Sequence, residues 1–344
     1  TTTNCGSAGA TLISAIQGTG MPLALAGVYT VEGIVVGDYQ QSGGFSGFFV
    51  QEEDAQADAL VESSEGIFVY YPTAPAVNVG DKVRLTGTTS DYSGLTQVGG
   101  TISNFEICSL ANTLPSASAV DLPVTNVNDL ERYEGMRVAF VDPLTVIETY
   151  QLGQYGQVTL AEGGRIPTYT HDHDPDATGY ASFLASIAKR KIILDDGSSK
   201  SNPDPVIFPA PELTAANTLR MGDTVAALSG VMDYRYSFYR VQPVNVVDFT
   251  HNNLRPAAPA GTGGTLKVAS ANVLNYFNTF VDCYNGVGDD AVVGDCRGAD
   301  DATEFARQRA KIIAELVALD ADVIGLMEIE NDGYGAESAL QDLV

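Results

Sequence analysis

Two apolar runs bound the last part of the chain: Leu266-Lys-Val-Ala-Ser-Ala-Asn272 and Asp322-Val-Ile-Gly-Leu-Met-Glu328. Both runs have the composition of buried strands. Between them, residues 303–319 repeat apolar side chains near helical spacing, and Thr303 is a suitable N-cap. This order predicts a β-α-β unit with two parallel strands. Since ligands bind at the carboxyl ends of strands in α/β sheets, we expect Asn272 and Glu328 to lie together at such an edge.

Four segments of this region resemble the start of a known catalytic domain, the endonuclease/exonuclease/phosphatase domain of secreted bacterial nucleases of the ExeM/NucH type. Pancreatic-type deoxyribonuclease and the apurinic endonucleases share that fold, which is a four-layer α/β sandwich of two sheets covered by helices. The resemblance implies that residues 266–344 form the opening β-α-β part of such a domain. The segments are Ser270–Phe277, Cys296–Asp300, Glu304–Ile312 and Asp322–Asn331.

The resemblance also implies the roles of two residues. Glu328 would hold the catalytic Mg²⁺ or Mn²⁺, and Asn272 would position the metal or the scissile phosphate. Met327 stands where the superfamily often has Gln. The remaining family motifs, an Asp-x-Asn pair and an Asp-His pair, would lie beyond Val344. We therefore expect an incomplete catalytic domain and no Mg²⁺-dependent cleavage of plasmid DNA by these residues alone.

The implied reaction is hydrolysis of DNA phosphodiester bonds, or of RNA, by cation-assisted attack of water. Arg307 and Arg309 are candidate phosphate contacts, and ion pairs with Glu304 or Glu315 are the alternative interpretation. None of the three histidines is placed to act as the general base. Two alternative functions stay open. One is another phosphodiesterase or phosphatase of the same superfamily, and the other is a non-catalytic nucleic-acid-binding or structural β module.

Short apolar runs separated by Gly, Asp and Ser clusters predict a mainly β region before residue 250. About five or six such runs in residues 1–110 are typical of a small closed barrel, with the OB-fold as the leading candidate. The resemblance to the ExeM/NucH nucleases extends into this region, because those proteins carry an OB-like region before the catalytic domain. Segments such as Ile193–Gly197 and Asn202–Pro205 carry that part of the resemblance.

A second module, residues 123–250, repeats parts of the first. Val79-Gly-Asp-Lys-Val83 recurs as Met221-Gly-Asp-Thr-Val225, and Asp91-Tyr92 recurs as Asp233-Tyr234 at the same offset. These matches indicate an internal duplication. We predict a second OB-like module that carries an insertion at about 163–211. Linkers are predicted at 111–122 and at 251–265, where Pro and Gly are concentrated.

The chain is strongly acidic, with 18 Lys and Arg against 43 Asp and Glu and a formal charge of −25. This sign argues against a nonspecific basic DNA-binding protein. A metal-dependent phosphodiesterase remains compatible, because divalent cations bridge an acidic site to phosphate. Acidity also suits a secreted protein, or serves solubility alone. The sequence begins at Thr1 and has no apolar run of membrane-spanning length, so we expect a secreted protein whose signal peptide is absent from this sequence. No pattern specifies an oligomeric state.

Four cysteines are present, and none forms a Cys-x-x-Cys unit. Pairing Cys5 with Cys108 would bracket the first module, and pairing Cys283 with Cys296 would close an acidic loop. Both disulfides would suit an oxidising extracellular environment. Four buried thiols are the alternative.

Two polar segments are weak candidates for cation binding. His171 and His173 alternate with Asp, but they would need a third ligand from elsewhere, so a solvated loop is the preferred interpretation. Asp195 and Asp196 precede a Gly and could supply oxygen ligands to Ca²⁺. The segment lacks the spacing of an EF-hand loop, so a turn is preferred there.

Aromatic side chains cluster at Tyr234–Arg240 and, less densely, at Phe45–Phe49. Exposed on a barrel surface and interleaved with Arg235 and Arg240, they could stack on nucleic-acid bases. A half-buried barrel wall is the alternative interpretation.

Overall fold

Strands dominate the chain, as the short apolar runs predict. The computed structural model describes residues 5–6, 9–257, 260–285 and 292–344. The chain divides into two compact units, Thr1–Leu254 and Arg255–Val344. No helix in the described ranges has the length and apolar character needed to cross a membrane.

The first strands of the chain form a closed barrel, here called the barrel. Its first strand is long enough to pair with two neighbours, one along each half. The barrel closes because the third strand runs parallel to the fifth. Apolar side chains such as Val31, Val50 and Val98 fill its interior. The strands are β1 (Gly27–Tyr39), β2 (Gly47–Gln51), β3 (Gly66–Tyr70), β4 (Lys82–Tyr92) and β5 (Leu95–Ser109).

A short helix, α1 (Ile13–Gln17), packs against the barrel. Ile13 and Ile16 are fully buried in the barrel core. The Cys5–Cys108 disulfide joins the segment before α1 to the end of β5. The barrel is therefore fastened to the N-terminal segment both by packing and by a covalent bond.

The next eight strands form a single sheet, here called the second sheet, in the order β11-β8-β9-β10-β13-β12-β7-β6. Its apolar side is covered by the largest core cluster of the chain. The strands are β6 (Ser118–Val120), β7 (Arg137–Phe140), β8 (Leu144–Glu148), β9 (Val158–Ala161), β10 (Lys191–Leu194), β11 (Thr224–Val225), β12 (Ser229–Arg235) and β13 (Phe238–Pro243). The helices are a 3₁₀ helix (Val127–Tyr133), α2 (Leu152–Tyr155), α3 (Tyr169–Asp172) and α4 (Ala177–Arg190).

The second sheet repeats the pairing scheme of the barrel. Strands β8, β9 and β10 pair antiparallel in sequence, as β1, β2 and β3 do. Strand β13 runs parallel to β10 and antiparallel to β12, as β5 runs parallel to β3 and antiparallel to β4. The β1–β4 pair has two counterparts, β8–β11 and β7–β12. The second copy thus has two shorter strands in place of each long strand of the barrel: β7 and β8 correspond to β1, and β11 and β12 correspond to β4.

The repeated Gly-Asp turn has the same hydrogen bonds in both copies. Gly80 N–H donates to the Val35 carbonyl at 2.9 Å, and Val35 N–H donates to the Asp81 carbonyl at 2.8 Å. In the second copy, Gly222 and Asp223 make the same two bonds with Val146, both at 2.8 Å. Each Asp carboxylate also accepts the N–H of the residue three positions earlier. The duplication predicted from sequence is therefore matched by local structure.

Two predicted boundaries differ from the structure. Strand β10 lies inside the predicted insertion of 163–211, because its apolar residues complete the sheet between β9 and β13. The inserted residues are therefore those on either side of it, including α3 and α4. Strand β6 lies inside the predicted linker of 111–122 and pairs in parallel with β7. Residues 123–250 also form an eight-stranded sheet together with β6, and not a separate closed barrel.

The barrel and the second sheet meet at two glycines, Gly66 and Gly135. A Cβ atom on Gly66 would lie 2.2 Å from the Gly135 carbonyl carbon, and a Cβ on Gly135 would lie 2.6 Å from Gly66. Ser64 donates its hydroxyl to the Glu134 carbonyl at 2.5 Å, and Gln17 donates to the Gly66 carbonyl at 2.6 Å. This contact, here called the glycine junction, requires residues without side chains.

The second unit contains a parallel pair of strands joined through a helix, as predicted for residues 266–344. Asp301 caps the helix by accepting the N–H groups of Thr303 and Glu304, so the N-cap lies two residues before Thr303. The Cys283–Cys296 disulfide is present, and residues 286–291 of the loop that it closes lie outside the described residues. The elements are β14 (Val268–Tyr276), β15 (Cys283–Asn285), β16 (Val292–Gly294), α5 (Ala302–Leu319), β17 (Val323–Ile329) and α6 (Ala339–Leu343).

We predict that Gly66→Ala destabilises the first unit by about 1–3 kcal/mol, because the added methyl group meets backbone atoms that cannot move aside. The control is Gly153→Ala in α2, where a Cβ meets no atom within 4 Å. That change is expected to be neutral or slightly stabilising. Urea unfolding of the two variants checks the prediction. Equal midpoints would show that the glycine junction is not close-packed.

Candidate functional site

The two residues expected at a ligand-binding edge, Asn272 and Glu328, lie on neighbouring strands. Strands β14 and β17 are parallel, and Asn272 is paired with Met327, so Glu328 is the next residue along the neighbouring strand. Both side chains are exposed to solvent. Adjacent strands lie about 4.8 Å apart. Asn272 and Glu328 therefore occupy neighbouring register positions on the two strands.

The backbone is irregular at this point on both strands. The register shifts between Asn272 and Tyr276, so that residues 273–275 face Glu328 alone. Leu274, Asn275 and Glu328 have φ of 52°, 53° and 61°. Such left-handed conformations cost about 1 kcal/mol for each residue that is not glycine. Strain of this kind concentrates at functional sites, where it re-aims side chains out of the regular strand pattern.

Neighbouring groups hold the irregular segment in place. Val273 and Tyr276 are 1% and 0% exposed, so they anchor its two ends in the core of the second unit. The Asn272 carboxamide accepts the Leu274 N–H at 2.8 Å. Gln308 on α5 donates to the Leu274 carbonyl at 2.7 Å. The bulge is thus tied to the helix that connects the two strands.

Glu330, which sequence reasoning did not select, supports this edge. Its carboxylate accepts the N–H groups of Asn278 and Thr279, each at 3.1 Å, and its own N–H donates to the Tyr276 carbonyl at 3.0 Å. Glu330 is 3% exposed, and its second oxygen has no hydrogen-bond donor among the described residues. The residue therefore fixes the end of β17, next to Glu328. In the sequence, Glu330 follows Glu328 by two residues at the end of an apolar run, and this spacing was the signal that could have indicated it.

The two predicted phosphate contacts lie on α5 and already have acidic partners. Arg307 approaches Glu304 at 3.6 Å, one of the two partners considered for it. Arg309 donates from Nε to the Asp342 carboxylate at 2.7 Å and from Nη2 to the Asp342 carbonyl at 3.1 Å. The Tyr276 hydroxyl also donates to Asp342. Arg309 therefore connects α5 to α6, whereas the Arg307 side chain stays largely exposed.

No group of three or more His, Cys, Asp or Glu side chains is placed to hold a metal ion in the described part of the chain. Mg²⁺ needs fewer protein ligands, because it keeps several waters and binds through one or two carboxylates plus substrate phosphates. Among the described residues, none donates a hydrogen bond to the Glu328 carboxylate. A single exposed carboxylate fits that mode of binding, and does not fit a closed cage of protein ligands.

The weak cation candidates are separated and engaged elsewhere. His173 stacks on the Tyr169 ring at 4.6 Å, and His171 approaches Asp172 at 3.9 Å. Asp195 is buried in an ion pair with Arg240. The Asp196 carboxylate accepts the Ser198 N–H at 2.9 Å, which forms a turn, the preferred interpretation for this segment. Burial raises the pKa of Asp196 to about 6.

Other perturbed carboxyls lie near the glycine junction. Glu134 is 1% exposed and accepts the Thr96 N–H of the barrel at 2.8 Å. Burial, with Glu131 nearby, raises its pKa well above the usual value. Burial also raises the pKa of Glu131 to about 7. Glu52 caps α1 by accepting the Ile13 N–H at 2.9 Å. Burial and the adjoining Glu65 carboxyl raise the pKa of Glu52 to about 8. These carboxyls face packed protein, so their role is structural.

Comparison with known proteins adds one match. A family model described as a domain of unknown function (DUF8508) matches residues 124–251. The matched range contains strands β7 to β13. No curated protein matches the chain.

Glu52 makes stability depend on pH. The unfolded chain ionises this carboxyl near pH 4.5, whereas the folded chain keeps its proton up to about pH 8. Its contribution is therefore full below pH 4.5 and is lost as the pH rises to about 8, by at most about 1.4 kcal/mol per pH unit. We predict that the unfolding free energy of the first unit falls over this range, and that Glu52→Gln makes the fall shallower.

Urea unfolding at several pH values measures this dependence. Glu131 and Glu134 act in the same direction, so Glu52→Gln removes part of the slope and not all of it. The control, Glu62→Gln at an exposed position, should keep the full slope. A stability that is constant or rises between pH 5 and 8 would contradict the burial of protonated carboxyls.

Proposed function

We propose that this protein is an extracellular, metal-dependent nuclease that hydrolyses phosphodiester bonds of DNA, with RNA as the alternative substrate. The observation that supports the proposal is the parallel pairing of the strands that carry Asn272 and Glu328, with the two residues at neighbouring register positions where the pairing becomes irregular. The strained backbone at Glu328, and at Leu274 and Asn275 on the neighbouring strand, supports a functional role. The resemblance of the surrounding segments to the ExeM/NucH nucleases supplies the reaction class.

In this proposal, Glu328 binds Mg²⁺ or Mn²⁺ through its free carboxylate. A bound ion of this kind stabilises charge that develops on the phosphate and on the leaving oxygen. The Asn272 carboxamide Oδ1 accepts the Leu274 N–H, which leaves its amide N–H groups to contact water or a phosphate oxygen. Glu330 holds the end of β17 so that Glu328 keeps its position. Residues 255–344 contain no His, so the general base of the proposed reaction is not a histidine of this unit.

We further propose that the barrel and the second sheet are two OB-type modules that precede a catalytic domain of the endonuclease/exonuclease/phosphatase type. The closed order β1-β2-β3-β5-β4 supports the first assignment, and the repeated pairing scheme supports the second. The two disulfides favour an extracellular location, because disulfides persist in oxidising compartments.

Metal binding by the chain tests the site directly. We predict that Glu328→Gln weakens Mn²⁺ binding at least about tenfold, because it removes the only charge of the proposed ligand pair. Electron paramagnetic resonance of free Mn²⁺ during a titration measures the affinity. The control is Glu337→Gln, an exposed carboxylate of the same unit.

Unchanged Mn²⁺ affinity in the Glu328→Gln variant would remove Glu328 from the proposed site. In any longer form of the protein that nicks plasmid DNA in Mg²⁺, the same substitution should lower the rate at least about a hundredfold. A variant that binds Mn²⁺ poorly but nicks DNA at the normal rate would contradict the proposed role.

A further inference from the structure

Four exposed aromatic side chains line one surface of the first unit. Tyr70, Tyr92, Tyr236 and Phe238 are 43%, 64%, 73% and 51% exposed. They border two clefts, one of about 640 Å³ beside the barrel and one of about 510 Å³ beside the second sheet. Tyr236 belongs to the walls of both clefts. The two clefts therefore form one continuous surface.

The clefts occupy equivalent places in the two copies of the duplicated fold. The first lies between the loop after β1 and the turn that joins β4 to β5. The second lies between the loop after β8 and the turn that joins β12 to β13. Since β8 and β12 are the counterparts of β1 and β4, the duplication has produced the same kind of cleft twice.

Hydrogen bonds and ring contacts hold the two clefts together. Ser199, which borders both clefts, donates its N–H to the Gly43 carbonyl of the barrel at 2.6 Å. The Ser93-Gly94 turn of the barrel lies directly against the Tyr234 ring, so that a Cβ on Gly94 would be 2.3 Å from it. The continuous surface is therefore preformed.

Tyr236 has an unfavourable position for a large side chain. It lies at the tip of the β12–β13 hairpin with φ of 53°, and Ser237 follows with φ of 66°. Turns with two positive φ values favour Asn and Gly. An aromatic residue placed there costs stability and, at 73% exposure, gains little from burial. The Arg240 guanidinium lies 5.3 Å from the ring centroid, and the exposed remainder of the ring is open to a ligand.

The charges along the surface suit an anion, although the chain carries a formal charge of −25. Among the residues that line the first cleft, Arg235 is the charged one. The second cleft is lined by three basic residues and one carboxylate: Lys191, Lys200, Arg240 and Glu148. Arg235 and Arg240 pair with buried Asp233 and Asp195. Lys191 and Lys200 form no ion pair with any described residue. The Lys191 ammonium lies over the Phe238 ring at 5.6 Å, so both lysine charges remain available to an anion beside the aromatic rings.

One hydrogen-bond donor of Arg235 has no acceptor among the described residues. Its guanidinium lies over the Phe45 ring at 4.1 Å and the Phe68 ring at 4.7 Å, which fixes its plane. Its Nη2 atom is buried and has no acceptor among the described residues. A buried donor without a partner is costly, and Arg235 is part of the wall of the first cleft.

We propose that this surface, here called the aromatic track and defined by Tyr70, Tyr92, Tyr236, Phe238, Lys191 and Lys200, binds single-stranded nucleic acid across both modules. Unpaired bases stack on exposed aromatic rings, and phosphates contact lysines, whereas a duplex hides its base faces. Two phosphate contacts give a weak dependence on salt, with a slope of log K against log salt of about −1.4.

The test is fluorescence anisotropy of a labelled oligothymidylate of about 20 nucleotides with the full chain. EDTA is present, so the readout needs neither a metal ion nor cleavage, and its failure is distinct from failure of the proposed nuclease site. We expect Tyr92→Ala, Tyr236→Ala and Phe238→Ala each to weaken binding about tenfold or more. The control is Tyr180→Ala on α4, which is 48% exposed and lies outside both clefts; it should change affinity less than about twofold.

Because the substituted rings are exposed, thermal melting should show that all four variants fold. Lys191→Gln with Lys200→Gln should bring the salt slope close to zero. Three results would overturn the proposal: a matched duplex that binds as tightly as the single strand, track variants that bind as well as the Tyr180 control, or displacement of the strand by a neutral oligosaccharide at the same aromatic residues.

Discussion

The first unit depends on the glycine junction, where the backbone at Gly66 lies against the backbone at Gly135. Strand β3 begins at this contact, and Glu134, one residue before Gly135, reaches the barrel through the Thr96 N–H. An apolar cluster that contains Phe49, Phe68 and Val231 packs between the barrel and the second sheet. The junction sets the distance between the modules, and that distance brings Tyr234 against the Ser93-Gly94 turn. Without it, the two clefts would not share a wall.

The sequence predicted the elements better than their arrangement. Strands β2 and β3 and the repeated Gly-Asp turn follow from local patterns, because turn residues and apolar runs act over short distances. The Cys5–Cys108 disulfide spans 103 residues and was predicted from the bounds of the first module. The inclusion of β10 in a predicted insertion shows the limit: Lys191–Leu194 is short, and only its pairing with β9 and β13 identifies it as a central strand. The interruptions between β7 and β8 and between β11 and β12 likewise depend on packing, which cannot be predicted from the composition of these segments.

The candidate site in the second unit was likewise predictable only in part. Asn272 and Glu328 were selected because each ends an apolar run, and the parallel pairing of their strands is present. The bulge opposite Glu328 was not predictable, because Leu274 has no sequence preference for positive φ, and Asn275 alone, which does, is too weak a signal. Burial of Val273 and Tyr276 forces the intervening residues outward. The partner of Arg309, Asp342, was also missed, because it lies on a later helix.

Duplication gives the first unit two similar clefts, and the junction makes them one surface. Hydrogen–deuterium exchange of the full chain, with and without oligothymidylate in EDTA, tests this claim most directly. We predict that the oligothymidylate slows exchange in both the β4–β5 turn near Tyr92 and the β12–β13 turn near Tyr236. Protection of one turn alone, or of neither, would contradict a single binding surface that spans both modules.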